Sequence, residues 1–333
     1  MSAETSGAAP RKRFNFAAVS GQIGLAVLIV AFWVFFSSQA SGFLSSFNLF
    51  NLGRSLAVDI IIGFSQMVVL ATGGMNLAVG SIGVCAVMMT GTLMQTLGLP
   101  IWLAILGALA LGAALGWLNG FAIVKTGVNA FIITLASANL FSGAMLILTK
   151  AVPLNALPPE VGAFGRMKFG FVSPLLIIAL VIGTALLILF RYTTLGRQIL
   201  ATGANTRAAA MSGVPTGRVI IATHALSGFL AAVAGVLLVT RLGAAMPSVG
   251  GESWLLPSFL GPVLGGTLLS GGFVSVIGTM LGALLVTTIR SGLLVLQIGS
   301  FWLDFFLGII LLLAVLIDRY RGVYAARLAA GRP

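Results

Sequence analysis

Apolar residues run almost without interruption through ten stretches of this chain, at 21–41, 50–71, 78–97, 101–124, 129–148, 171–190, 219–240, 254–269, 274–294 and 300–317. The stretch 21–41, GQIGLAVLIVAFWVFFSSQAS, carries no charge and no alternation of period two, and 101–124 and 171–190 are alike in this. A membrane-spanning helix needs roughly 20 apolar residues, whereas a barrel strand needs about ten with polar alternation. The pattern predicts an all-α, polytopic integral membrane protein of about ten transmembrane helices. Each helix bonds its own backbone, as lipid requires. Pro100 separates the third stretch from the fourth, and the polar interval 150–170, with three prolines and Glu160, separates the fifth from the sixth.

Composition agrees. Of 333 residues, 59% are hydrophobic and 7% charged, against about 25% charged in a soluble domain. The net charge of +12 reads through topology rather than nucleic acid, because Lys and Arg collect on the cytoplasmic side. Arg11, Lys12 and Arg13 precede the first span, while Arg319, Arg321, Arg327 and Arg332 follow the last. Both termini are therefore expected in the cytoplasm, which requires an even number of spans. Lys125 and the basic interval 191–218 fall on the same side. This gives a tail 1–20, a single transmembrane domain 21–318 with a cytoplasmic loop 191–218, and a tail 319–333. The first apolar run is taken as an uncleaved membrane helix because it is long enough to span.

Catalytic chemistry is sparse. Six carboxylates, one histidine and one cysteine form no metal motif and no nucleophile motif, and no GxxxxGK[ST] phosphate loop occurs. The chain is not expected to be an enzyme, to hydrolyse ATP by itself, or to hold a metal or other cofactor. Cys85 reads as a small apolar helix residue. His224 reads as a packed or interfacial histidine, with proton handling as the alternative. Asp59, Arg290 and Asp304 lie near span ends, where a side chain can reach water. The recurrent glycines Gly112, Gly116 and Gly120, and the pairs Gly261/Gly265 and Gly278/Gly282, suit close helix packing, within one subunit or between two.

Two stretches interrupt the apolar pattern. TGGMNLAVGS, 72–81, places Gly73, Gly74, Asn76 and Ser81 at the junction of the second and third spans. The glycines permit non-helical backbone, which survives in a membrane only if buried in protein or lining water. Asn76 can donate and accept hydrogen bonds to a neutral hydroxylated substrate, or it can simply cap the third helix; both readings stand. The second stretch is 191–218. Asn205 suits an N-cap, 206–212 a short helix, Gly213 the left-handed position after it, and Pro215 blocks continuation. A short capped helix projecting from a membrane domain has the form of a docking element.

At these residues the sequence resembles the ribose-type permease subunits of bacterial ABC importers. That family carries Gly-Gly-x-Asp-Leu-Ser-Val-Gly-Ser where this chain has GGMNLAVGS at 73–81. LGRQILATGANTRAAAMSGVPTGRV at 195–219, HALSGFLAAVAGVL at 224–237 and VLGGTLLSGG at 263–272 follow in the family's order, within a similarity from about 48 to 318. Asn76 replaces the family's usual Asp, Ala78 its Ser, and Ala204 a common Gly. The resemblance implies a separate ABC ATPase, a periplasmic binding protein and a second permease subunit, with a homodimer preferred, in the bacterial inner membrane. It implies a sugar, polyol or related neutral metabolite as cargo. It makes 205–212 a coupling helix seated in the ATPase, with Gly203, Asn205, Arg207, Ala208, Ala209, Ser212 and Gly213 as its residues. Gly73, Gly74, Asn76 and Ser81 then belong to the translocation pathway or its turn. The alternative is a self-sufficient ion-coupled carrier or channel.

Overall fold

The computed structural model describes residues 16–40, 42–170 and 172–299, together with 302, 305–309 and 312. Helices α1 (Phe16–Gln39), α2 (Ser46–Leu70), α4 (Ile101–Thr126), α5 (Ala130–Thr149), α7 (Pro174–Tyr192), α10 (Thr216–Leu242) and α12 (Val276–Val295) are each long and apolar enough to cross a membrane. So is α3 (Val79–Gly91) once it continues through the π turn Thr92–Thr96. Short helices α6 (Pro159–Arg166), α8 (Thr194–Ala204), α9 (Thr206–Met211) and α11 (Leu255–Leu264) complete the set. No strand occurs among the described residues, and the protein is a polytopic membrane protein of helices, as the pattern predicts. The expected tenth span lies largely outside the described residues, as do the segments 1–15 and 313–333 and Asp304.

Local chemistry sets the helix ends. Ser45, Asn129, Ser173 and Ser275 each accept a backbone N–H at the start of α2, α5, α7 and α12. Gly127 and Gly243, both in the left-handed region, close α4 and α10. Helix α2 runs through the core, with Ile61, Phe64, Met67 and Leu70 fully enclosed. The glycine stripe of α4 packs inside the subunit: a Cβ at Gly112 would meet Ala232 and Gly228, and one at Gly116 would overlap the His224 carbonyl. Gly261 and Gly265 likewise face Gly282 and Gly278, joining α11 to α12.

The expected span 254–269 is corrected. Helix α11 has ten residues, about 15 Å at 1.5 Å per residue, half the thickness of a hydrocarbon core. The chain before it is a turn and a short 3-10 helix, Gly251–Trp254, running beside α3. There the Gly251 carbonyl occupies the space a Cβ on Gly80 would need, Trp254 lies on Gly83, and Ala245 abuts Gly91. The crossing is thus made by a broken element. The sixteen-residue apolar run also contains Pro257 and Pro262, and it is too short for one straight helix.

Helix α10 has 27 residues, about 40 Å in length, and separates two ends of the molecule. Helices α8 and α9 lie at its start, and α6 packs at its finish, where a Cβ on Gly165 would overlap the Thr240 carbonyl. Cysteines introduced as Glu160→Cys and Ala208→Cys, in a Cys85→Ala background, are therefore expected to label from opposite sides of the membrane. Position 160 should react in intact cells and 208 only after permeabilisation; labelling of both from one side would overturn this arrangement.

Candidate functional site

Between α2 and α3 the backbone leaves the helix for eight residues, 71–78. Gly73 turns the chain at φ +76°, a region that favours glycine. Of the residues that follow, Gly74, Met75 and Leu77 are half-buried, and Asn76 and Ala78 are buried. Asn76 is fully enclosed. Its Oδ1 accepts from the Ala78 N–H at 3.0 Å, and its Nδ2 donates to Ser227 Oγ on α10 at 2.9 Å. The Ser65 hydroxyl on α2 donates to the Ser227 carbonyl at 2.8 Å. The Leu77 N–H donates to Thr134 Oγ1 on α5 at 3.1 Å, and the Ser142 hydroxyl donates to Ser81 Oγ at 2.9 Å. The residue at the N-cap of α3 is Ala78, without a side-chain bond, so Asn76 closes a turn rather than capping the helix.

Asn76→Leu would strand the Ala78 N–H and leave the Ser227 hydroxyl with Ser65 Oγ, at 3.0 Å, as its side-chain partner, and an unpaired buried polar group costs about 1–3 kcal/mol. The variant is expected to insert but to unfold at lower temperature in detergent and to transport less. Asn76→Asp should be far milder, because the Ser227 hydroxyl can turn to donate to a carboxylate. Equal melting of the Leu variant and wild type would overturn the role given to this network.

The two stretches singled out in the sequence meet. The Gly272 N–H donates to the Ala71 carbonyl at 3.0 Å. A Cβ on Gly203, at the end of α8, would overlap that same Ala71 carbonyl and crowd Gly272 N. A Cβ on Gly73 would touch the Ser270 carbonyl, and one on Gly271 would press on Gly73 and the Gly203 carbonyl. Two turns, 71–74 and 270–272, and the end of α8 at 203–204 thus make backbone-to-backbone contact that only glycine allows.

From this junction α9 projects. Asn205 caps it, accepting from the Ala208 N–H at 3.0 Å, the Ser212 hydroxyl donates to the Ala208 carbonyl, and Gly213 follows at φ +83°. Arg207, Ala208 and Ala210 are exposed, and Met211 is 86% exposed. Ala209, expected on the docking face, is instead buried against its own subunit. In a helix of six residues the inward face must include one of three consecutive alanines, and position 209 takes it. Met211 was not singled out in the sequence; its signal is an unbranched apolar side chain two residues before a glycine in a polar interval.

Beside the 71–78 segment lies a cleft of about 390 Å³, lined by Gly73, Met75, Asn129, Phe131, Ile220 and His224 among others. His224 is buried, its Nδ1 lies 2.9 Å from the Ile220 carbonyl, and its Nε2 has no partner. Toward the other end, Asp59 is buried rather than in reach of water. It accepts from Thr287 Oγ1 at 2.8 Å and from Arg290 at 3.2 Å. Among the described residues no group of His, Cys, Asp or Glu could hold a metal ion.

A helical membrane domain with a projecting short helix tied to a buried, unwound segment is the geometry on which the comparisons bear. A family model described as the branched-chain amino acid transport system / permease component matches residues 48–315. The chain belongs to this permease family. The permease is 36% identical over 313 residues to the ribose import permease protein of Bacillus subtilis (strain 168), covering 93% of this chain and 96% of that one. It is 31% identical over 316 residues to the D-allose transport system permease protein of Escherichia coli (strain K12), covering 94% and 96%. To the L-arabinose transport system permease protein of the same strain it is 32% identical over 325 residues, covering 96% and 97%. No solved structure matches. The permease is a transport subunit of the inner membrane and not an enzyme.

Proposed function

We propose that this permease forms the translocation pathway of an ABC importer for a neutral sugar or polyol. A periplasmic binding protein delivers the cargo, a separate ATPase drives the cycle, and a second copy of the chain completes the route. The observation that carries the reading is the glycine junction. An external ATPase can only act through a protein contact, and α9 is an exposed, capped helix whose root touches Ala71, the buried first residue of the 71–78 segment, directly. Gly203, Asn205, Arg207, Ala208, Ser212 and Gly213 build that contact and set its angle. Gly73, Gly74, Asn76 and Ser81 frame the route; in this conformation the Asn76 and Ser81 side chains bond to their own chain.

At the opposite end Arg54 donates to the Arg241 carbonyl, and both Arg54 and Lys168 lie over the Phe50 ring. These cations suit an acidic docking surface on the binding protein. The relatives' cargoes make D-ribose, D-allose and L-arabinose the sugars to test. Uptake by the permease reconstituted with its ATPase and binding protein should require ATP. Flux driven by an ion gradient, with the permease alone, would instead establish an ion-coupled carrier. The buried carboxylate Asp59 is held in an ion pair and offers no relay for such coupling.

A further inference from the structure

The broken crossing carries a feature that no lipid-facing surface tolerates. Glu252 and its neighbours Ser248 and Ser253 are exposed, and the depth of Glu252 can be fixed from four contacts. Gly251 abuts Gly80 of α3, and Trp254 lies on Gly83. Gly83 in turn packs on Gly235 of α10, seven residues before the end of that helix at Leu242. Ser81, between them, bonds Ser142 of α5, seven residues before Thr149. Seven residues of helix are about 10 Å, and with about 5 Å allowed for the overhang of α10, Glu252 sits about 5–10 Å inside a hydrocarbon core of about 30 Å.

A carboxylate at that depth is costly in lipid and marks water or a partner group. Among the described residues Glu252 makes no ion pair and no side-chain hydrogen bond with another side chain. The surrounding backbone is irregular, with Gly250 at φ +104° and Gly251 at φ +62°. Non-helical backbone is tolerated at membrane depth where it lines a cavity, and discontinuous helices commonly build transporter sites there. Helix α3 is held between this segment and α5, the least covered of the spans, whose Asn139 is exposed near the middle of its length.

We propose that Glu252, with Ser248 and Ser253, lines the water-filled route and binds the hydroxyl groups of the neutral cargo as it passes. A carboxylate only accepts, and its two oxygens can take two hydroxyl donors at once. Neighbouring hydroxyls of a sugar or polyol supply that pair, the serine hydroxyls can donate to ring or hydroxyl oxygens, and an anionic cargo is repelled. The inference rests on the importer reading above and names a contact within it.

The test uses the complete importer in proteoliposomes, with Ser253→Cys in a Cys85→Ala background. A charged methanethiosulfonate should modify this cysteine at a rate within about tenfold of Met167→Cys on the exposed outer loop, and D-ribose, D-allose or L-arabinose should slow the reaction. Glu252→Ala should lower ATP-dependent uptake about tenfold, the usual loss for a hydrogen bond to a charged group. Glu252→Gln, which keeps one accepting oxygen but neither the second nor the charge, should fall between Glu252→Ala and wild type. A Ser253→Cys thiol inert from both sides, a reaction that none of the three sugars slows, or wild-type uptake by Glu252→Ala would each overturn the proposal. ATP dependence is read in the same vesicles, so uptake without ATP would sink the importer reading whatever the cysteine does.

Discussion

Met211→Asp is expected to lower substrate-stimulated ATP hydrolysis by about thirtyfold, the effect of losing one strong interface residue worth about 2 kcal/mol. Met211 is 86% exposed at the end of α9, at the end of the molecule where the loop 191–218 lies and away from the membrane's apolar interior. Its unbranched side chain adapts to irregular grooves, and an aspartate there would have to be desolvated on docking. Because nothing in the subunit packs over Met211, insertion and melting of the permease alone should be unchanged. Ala209→Arg serves as the contrasting variant: Ala209 is buried in its own subunit, so arginine there should lower the melting temperature as well as coupling. Co-purification of permease and ATPase, with hydrolysis measured on the complex, separates the two. Wild-type hydrolysis by Met211→Asp would move the docking face elsewhere.

Gly203→Ala is the smallest change with a large expected consequence. The added methyl would overlap the Ala71 carbonyl, and backbone cannot step aside as the tip of a side chain can. Overpacking of this kind typically costs about 1–3 kcal/mol. The Gly272–Ala71 hydrogen bond shares that carbonyl and should be lost with it. Uptake should fall at least tenfold while the ATPase remains bound, since α9 itself is untouched. Gly213→Ala makes the useful comparison. Its Cβ would meet open space, and only the left-handed backbone at φ +83° opposes it, which costs about 1 kcal/mol. A Gly203→Ala importer that transports no worse than Gly213→Ala would remove the junction from the coupling path.

What the sequence made legible follows from range. Eight of the spans could be read because a run of about 20 apolar residues is sufficient by itself to make a membrane helix. The α9 cap could be read because Asn205 and Gly213 act on backbone within a few positions. The meeting of Ala71, Gly203 and Gly272 could not, since more than sixty residues separate each from the next and glycine's permissiveness does not name its neighbour. Asp59 looked like a group near a span end; its partner Arg290 is 231 positions away. The direction of Ala209 depended on what lies beneath a helix too short to show a face. The span at 254–269 failed for a different reason. Its helix ends at Leu264, where Gly265 packs on Gly278 of α12, and it is preceded by a turn for which Gly80 and Gly83 of α3 leave room, facts written in other parts of the chain.

That broken crossing bears on how the protein is made. A ten-residue helix preceded by a turn and a four-residue 3-10 helix cannot leave the translocon for lipid unaided, because each backbone group without a helical partner would cost several kcal/mol there. Its polar backbone needs α3 to lie against, and its glycines need α12 to close on Gly278 and Gly282. Residues 243–295 must therefore enter the bilayer as a hairpin onto a bundle already assembled from the earlier helices. A nascent chain ending between α11 and α12 would be held at the insertion machinery and exposed to quality-control proteolysis.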